Sequence, residues 1–214
     1  MKSHQENFGD LAELCREARA NYQIWYALRV RNEGQFEKEA ALFGDFFRPV
    51  TSAAFNTFVI CIWALVENKN SKSNLSIRSY LSSHPTLSES IKTQWETLRE
   101  DHRALLDRVE KIRHMVVAHR NKQTADIYIF AKHGFDYKDV EELIESIASF
   151  IRQLGKELNE PSNIPDSRRY EYSVLHLLKV ISQTDPSILR SLPGLFLVDP
   201  LAEYKCTSPP SSSS

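Results

Sequence analysis

Glycine is scarce in this chain, with six in 214 residues. That excludes a turn-rich β fold, which needs glycine wherever the backbone reverses. Cysteine is scarcer still: Cys15, Cys61 and Cys206 are an odd count, far apart in sequence. No disulfide framework and no zinc-ligand spacing can be drawn from them. Charge of one sign is also missing. Lys and Arg number 27 against 28 Asp and Glu, which leaves a net charge of −1 and a pI near 6.7. No global basic field draws nucleic acid to such a chain, so any such binding must use a local patch. The longest apolar run, from about Ala53 to Val66, is 14 residues and includes Asn56 and Thr57. A membrane-spanning helix needs roughly 20. The opening MKSHQENFGDLAEL has no apolar run of signal-peptide kind. The expectation is a cytoplasmic protein with no membrane partner.

What is present is helical periodicity. Leu11, Leu14, Ala18, Tyr22 and Trp25 recur at steps of three and four, predicting a helix over about Gly9 to Val30 with Asp10 as a possible cap. A second helix is expected over Phe36 to Phe47, and Pro49 marks a break or kink before a third, Thr51 to Glu67. That third helix is apolar on almost every side, so it is central or feeds a dimer interface. Leu75 to Ser82 reads as a short helix capped by Asn74. A stripe of Trp95, Leu98, His102, Leu105, Val109, Ile112 and Val116 predicts one long helix from about Ser88 to Val117, uninterrupted by Gly or Pro. Asp126 to Phe130 alternates, as a short strand or an extended loop. Asp136 to Leu158 and Arg168 to Ile181 complete the set. Five of the nine prolines fall in the last 29 residues, and the ending is SPPSSSS. The expected organisation is an all-α, up-and-down bundle of four to five main helices over residues 1–182. An irregular, partly disordered Pro/Ser-rich tail over 183–214 follows it.

Chemistry concentrates at the end of the long helix, in KIRHMVVAHRNK, Lys111 to Lys122. From His102 to Lys122 there are six basic residues (Arg103, Arg108, Lys111, Arg113, Arg120, Lys122) and two acidic ones (Asp107, Glu110). A patch of this kind suits a phosphate backbone. It also suits a plain helix C-terminus, whose dipole favours cations. Metal-independent RNA cleavage needs a base for the 2′-OH, a cation for the phosphorane and an acid for the leaving 5′-oxygen. Histidine serves the first and last, and arginine the second. Arg113 and His119, with five residues between them, supply both types. Spacing alone does not select them: Arg78/His84, Arg108/His114 and Arg169/His176 are similarly spaced. On an ideal helix Arg113 and His119 point about 120° apart. His119 also continues the core stripe, so a helix-end histidine packed on the core is the competing reading.

Other constellations are weaker. His102 and His114 are too far apart for a helical i,i+4 metal pair, and no Gly-rich phosphate loop occurs. No metal and no cofactor is expected. Glu141, Glu142 and Glu145 read as a solvated helix face, and Trp25, Tyr26, Trp63 and Trp95 as packing.

IRHMVVAHRNK at the end of an amphipathic helix resembles the HEPN superfamily (higher eukaryotes and prokaryotes nucleotide-binding domains). The mark of that family is Arg, four to six residues, then His, often as Ala-His. FFRPVTSAAFNTFVICIWALVENKNSKSNLSIRSYL looks most like a block of the HEPN-like domains of phage abortive-infection proteins. The resemblance covers about Phe8 to Leu158. It implies an all-α bundle and a homodimer, with an Arg/His pair from each protomer facing across a shared cleft. A site completed across a two-fold axis need not lie on one helix face. It further implies a metal-independent endoribonuclease acting on RNA as a toxin or antiphage effector, with an antitoxin or other regulatory partner. Arg113 would stabilise the phosphate and His119 act as acid and base. His114, Arg120, Asn121, Lys122 and Arg108 would support RNA binding. Many active members carry Asn or Asp directly after the Arg, where this chain has His114. Members paired with a nucleotidyltransferase antitoxin often carry Tyr where this chain has Asn121. The alternative is a non-catalytic HEPN-like module that dimerises or binds RNA or a partner.

Overall fold

The computed structural model describes residues 4–31, 35–67, 75–118 and 136–185. These residues form helices and connecting turns, with no strand among them. The expected segment Asp126 to Phe130 and the tail beyond Asp185 lie outside the described residues.

Helix α1 (His4–Arg29) starts earlier than its apolar stripe suggested, so Asp10 lies within the helix and does not cap it. It buries Phe8, Leu11, Ala12, Cys15, Ala18, Tyr22 and Trp25 on one face. Helix α2 (Glu37–Leu42) is short, and α3 (Gly44–Val66) follows after a one-residue break at Phe43. The break expected at Pro49 therefore falls six residues earlier, and Pro49 stands inside α3. The reason is position. In the second turn the missing N–H deprives only the Asp45 carbonyl, and both residues are exposed, so solvent replaces the donor. Helix α3 has 23 residues and by length and composition alone passes for a membrane span. Its Phe55, Phe58, Val59, Ile62 and Leu65 are instead fully enclosed by the protein core. It lies between α1 on one side and α6 on the other.

Helix α4 (Ile77–Ser83) begins two residues later than expected, because the cap is Ser76, whose Oγ accepts the Ser79 N–H at 3.2 Å. The long helix is two: α5 (Glu89–Asp101), capped by Ser88, and α6 (Arg103–Ala118). The joint is His102, with φ −104° and ψ 12°. Its Nε2 stands 3.3 Å from Ser146 Oγ. Hydrogen bonds continue across it, from His102 N–H to Leu98 O at 3.2 Å and from Leu106 N–H to His102 O at 2.9 Å. The interruption is thus a bend that a side-chain contact holds, with no loop in it.

Helix α7 (Tyr137–Leu158) matches its expected span, capped by Asp136, whose Oδ1 accepts the Lys138 N–H at 2.7 Å. It ends on Asn159 in the left-handed region, φ 57°, and Glu160 N–H closes back onto Gly155 O at 2.8 Å. Gly155 is required there. A Cβ would sit 2.6 Å from Glu160 O and 2.8 Å from the Phe8 ring. Helix α8 (Arg169–Gln183) closes the described fold against α1.

The core is built from α1, α3 and α7, with α4, α5 and α6 packed around them. Tyr22, Trp25, Phe55 and Phe58 pack at ring separations of 5.2–6.1 Å, Phe58 meeting Tyr22 and Phe55 edge to face and Trp25 meeting both phenylalanines at a tilt. Trp95 of α5 meets Phe150 of α7 at 5.3 Å. A smaller cluster of Leu28, Phe36, Phe47 and Leu178 seats α8.

Polar groups lock the same side. Arg19, 5% exposed, donates from Nε to Glu145 Oε1 at 2.6 Å and from Nη2 to Asp166 O at 3.0 Å. It also reaches the carbonyls of Pro165 and Ser167. Glu171, 1% exposed, accepts from Arg31 and Arg168, each at 3.0 Å, and Arg168 also binds Glu141. Glu141 and Glu145, expected to be a solvated face, are therefore anchors for the segment between α7 and α8. A buried carboxylate and a buried guanidinium are tolerated because each is fully answered by opposite charge or by carbonyls.

Candidate functional site

The site is built on α6 where it crosses α3. Val109 and Ile112 are fully buried and press α6 onto the core. Arg113 follows directly, so its stem leaves the core edge half-buried. The guanidinium carbon lies 3.8 Å above the centre of the Trp63 ring on α3. At that distance the guanidinium is in van der Waals contact with the face of the ring. Arg113 Nη1 stands 3.4 Å from His114 Nδ1. His114 Nε2 in turn stands 3.7 Å from Glu110 Oε1. With its hydrogen on Nε2, His114 accepts from Arg113 at Nδ1 and turns its N–H towards the carboxylate.

The consequence is electrostatic. Glu110 is the nearest acid along the helix, and it faces His114 instead of Arg113. No carboxylate reaches Arg113 among the described residues. Its positive charge is left uncompensated, and four of its five N–H donors are left without a partner among these residues. Such a fork is suited to a phosphate or another oxyanion.

The other expected residues divide. His114 is exposed and adjacent to Arg113. Arg108 is half-buried on α6, about 140° round the helix from Arg113, and is not brought to it. His119, Arg120, Asn121 and Lys122 lie outside the described residues, as α6 is described to Ala118. Trp63 packs against the main core as expected. It also meets Arg113, a contact its spacing on α3 could not show.

Thiol chemistry is not on offer among the described residues. Burial pushes the Cys15 thiol up to about 12, and burial with the nearby Glu17 does the same for Cys61. Cys61 Sγ donates to Glu17 Oε2 at 3.7 Å. A thiol held neutral in this way is a poor nucleophile. An open cavity of about 430 Å³ lies at the end of α7, lined by Arg152, Lys156, Asn159 and Glu160 among others. It shares no residue with the surroundings of Arg113, and its shallow form has no convergent set of reactive groups.

Comparison with known proteins gives one answer. The family model of AbiU2, a HEPN domain, matches residues 9–174. No curated protein matches the chain, and no solved structure matches it.

Proposed function

From the premise that the chain belongs to the AbiU2 family of HEPN-like domains found in abortive-infection proteins, we propose that it is a metal-independent endoribonuclease serving as an antiphage effector. The single observation that carries the reading is Arg113, a guanidinium held at the core edge with no carboxylate on it among the described residues. Had Asp107 or Glu110 neutralised Arg113, a non-catalytic binding module would have been the better conclusion.

In this reading Arg113 and His119 of each protomer meet across the two-fold axis of a homodimer. His119 takes the proton of the 2′-OH, and the 2′-oxygen attacks the adjacent phosphorus. Arg113 stabilises the charge on the phosphorane oxygens. The P–O5′ bond breaks, and the departing oxygen takes a proton from the imidazolium of His119 of the partner subunit. The products are a 2′,3′-cyclic phosphate and a 5′-OH. His114, Arg108, Arg120, Asn121 and Lys122 hold the RNA backbone. The protein works in the cytoplasm, under an antitoxin or comparable regulator.

The test is incubation of mixed RNA with the parent and with an Arg113→Ala/His119→Ala double variant, both in EDTA. The parent alone should cleave, leaving cyclic phosphate and 5′-OH ends. Equal cleavage by both proteins, or none by a folded dimeric parent, defeats the proposal.

A further inference from the structure

We infer that Trp63 is the positioning residue of Arg113: its ring is the platform that fixes the guanidinium plane and keeps the donor edge free for phosphate. The catalytic half of this inference rests on the ribonuclease reading above. The geometric half stands without it.

Three observations converge. First, the guanidinium carbon sits 3.8 Å over the ring centre, in van der Waals contact with the π face. Stacking of this kind uses the face of the cation and leaves its in-plane N–H donors pointing outward. An arginine tied instead by a carboxylate would spend two of those donors on it. Second, the platform is rigid. Trp63 is part-buried against the main core and sits between Ile62 and Leu65, both fully buried on α3. Helix α3 is itself clamped between α1 and α6. Third, the remaining neighbour reinforces the plane. His114 Nδ1 takes one donor at 3.4 Å while its other nitrogen faces Glu110, which keeps that acid from competing for Arg113.

A free arginine side chain must lose rotamer freedom when it grips a phosphate. One already stacked has lost it in the folded protein. Trp63 therefore acts on the transition state through Arg113 without touching the RNA, and its loss belongs in kcat more than in KM.

The experiment uses the full chain with Trp63→Leu, Trp63→Phe and Arg113→Lys variants and two readouts. In the parent the Arg113 Nε–H proton should resonate upfield of a solvated arginine, from the ring current. That shift should vanish in Trp63→Leu and persist in Trp63→Phe. In cleavage, Trp63→Leu should lose about 10-fold in kcat, with KM within about 3-fold, while Trp63→Phe retains most of the rate. Arg113→Lys should fall below Trp63→Phe, because an ammonium cannot stack as a plane. A parent Arg113 resonance at the solvated position overturns the inference. So does a folded Trp63→Leu protein cleaving at the parental rate. A parent that cleaves no RNA removes the ribonuclease reading only. The inference is then decided by the ring-current shift of Arg113, which must be present in the parent and lost in Trp63→Leu. The same shift in both overturns it.

Discussion

Two regions of this molecule hold arginines, and they differ in whether a carboxylate answers them. On the α1–α7–α8 side, Arg19, Arg31 and Arg168 are answered by Glu145, Glu171, Glu141 and backbone carbonyls. On the α3–α6 side, Arg113 is answered by an aromatic face and a histidine nitrogen, with no carboxylate among the described residues. The first arrangement neutralises charge, and at Arg19 it engages all three guanidinium nitrogens. The second immobilises the side chain and does neither. An arginine of the first kind stabilises a fold, and one of the second kind is ready for a ligand.

The sharpest way to break that comparison is to delete one arginine from each side and measure stability by urea unfolding. Arg19→Met should cost about 3 kcal/mol, since it removes a nearly buried guanidinium from Glu145 and from the carbonyls of Pro165 and Asp166. Arg113→Ala should cost about 1 kcal/mol or less, the worth of one part-exposed cation–π contact. Equal losses would mean that the two sides do not differ in kind. Gly155→Ala tests the α1–α7–α8 side without touching charge. The overlap with Glu160 O and Phe8 should destabilise by about 2 kcal/mol, less than Arg19→Met and more than Arg113→Ala. The smallest expected effect concerns thiols, one on each side. In a Cys206→Ser background, Cys15 on α1 and Cys61 on α3 should both resist alkylation at pH 8 until urea unfolds the chain. Their folded-state pKa values, raised by burial to about 12, favour the neutral thiol. The stability each contributes is complete below its ordinary value near 9 and is lost as pH rises towards 12. Fast labelling of Cys61 alone would mark α3, and the Trp63 platform with it, as loosely held.

Much of the fold was legible in the sequence, for a physical reason. Where one apolar stripe faces one core, as in α7, periodicity places the ends to within a residue or two. Legibility failed where a distant contact decides. Nothing local marks His102 as a joint, since neither Gly nor Pro stands there, and its Nε2 meets Ser146, 44 residues away on α7. Pro49 misled in the other direction, because a proline in an exposed second turn removes one hydrogen bond and leaves the helix intact. The site divides likewise. Arg113 was legible as part of a motif, since its chemistry and its setting on α6 are local. Trp63 was not, since stacking is a relation between two helices and has no spacing to read. Glu141 and Glu145 were read as solvated because a charged helix face looks the same whether water or an arginine answers it.

The bend at His102 has a consequence for how this protein can change over generations. It splits one helical ridge into two blocks, α5 leaning on α7 and α6 leaning on α3. Within α6, inserting or deleting one residue before Arg113 would swing the guanidinium by about 100° and off its platform. At the joint the backbone already departs from ideal helix, so a length change there has somewhere to be absorbed before it reaches Arg113. Heritable length variation should thus be tolerated around His102 and purged between Arg103 and Arg113, two adjacent stretches of one ridge under opposite selection.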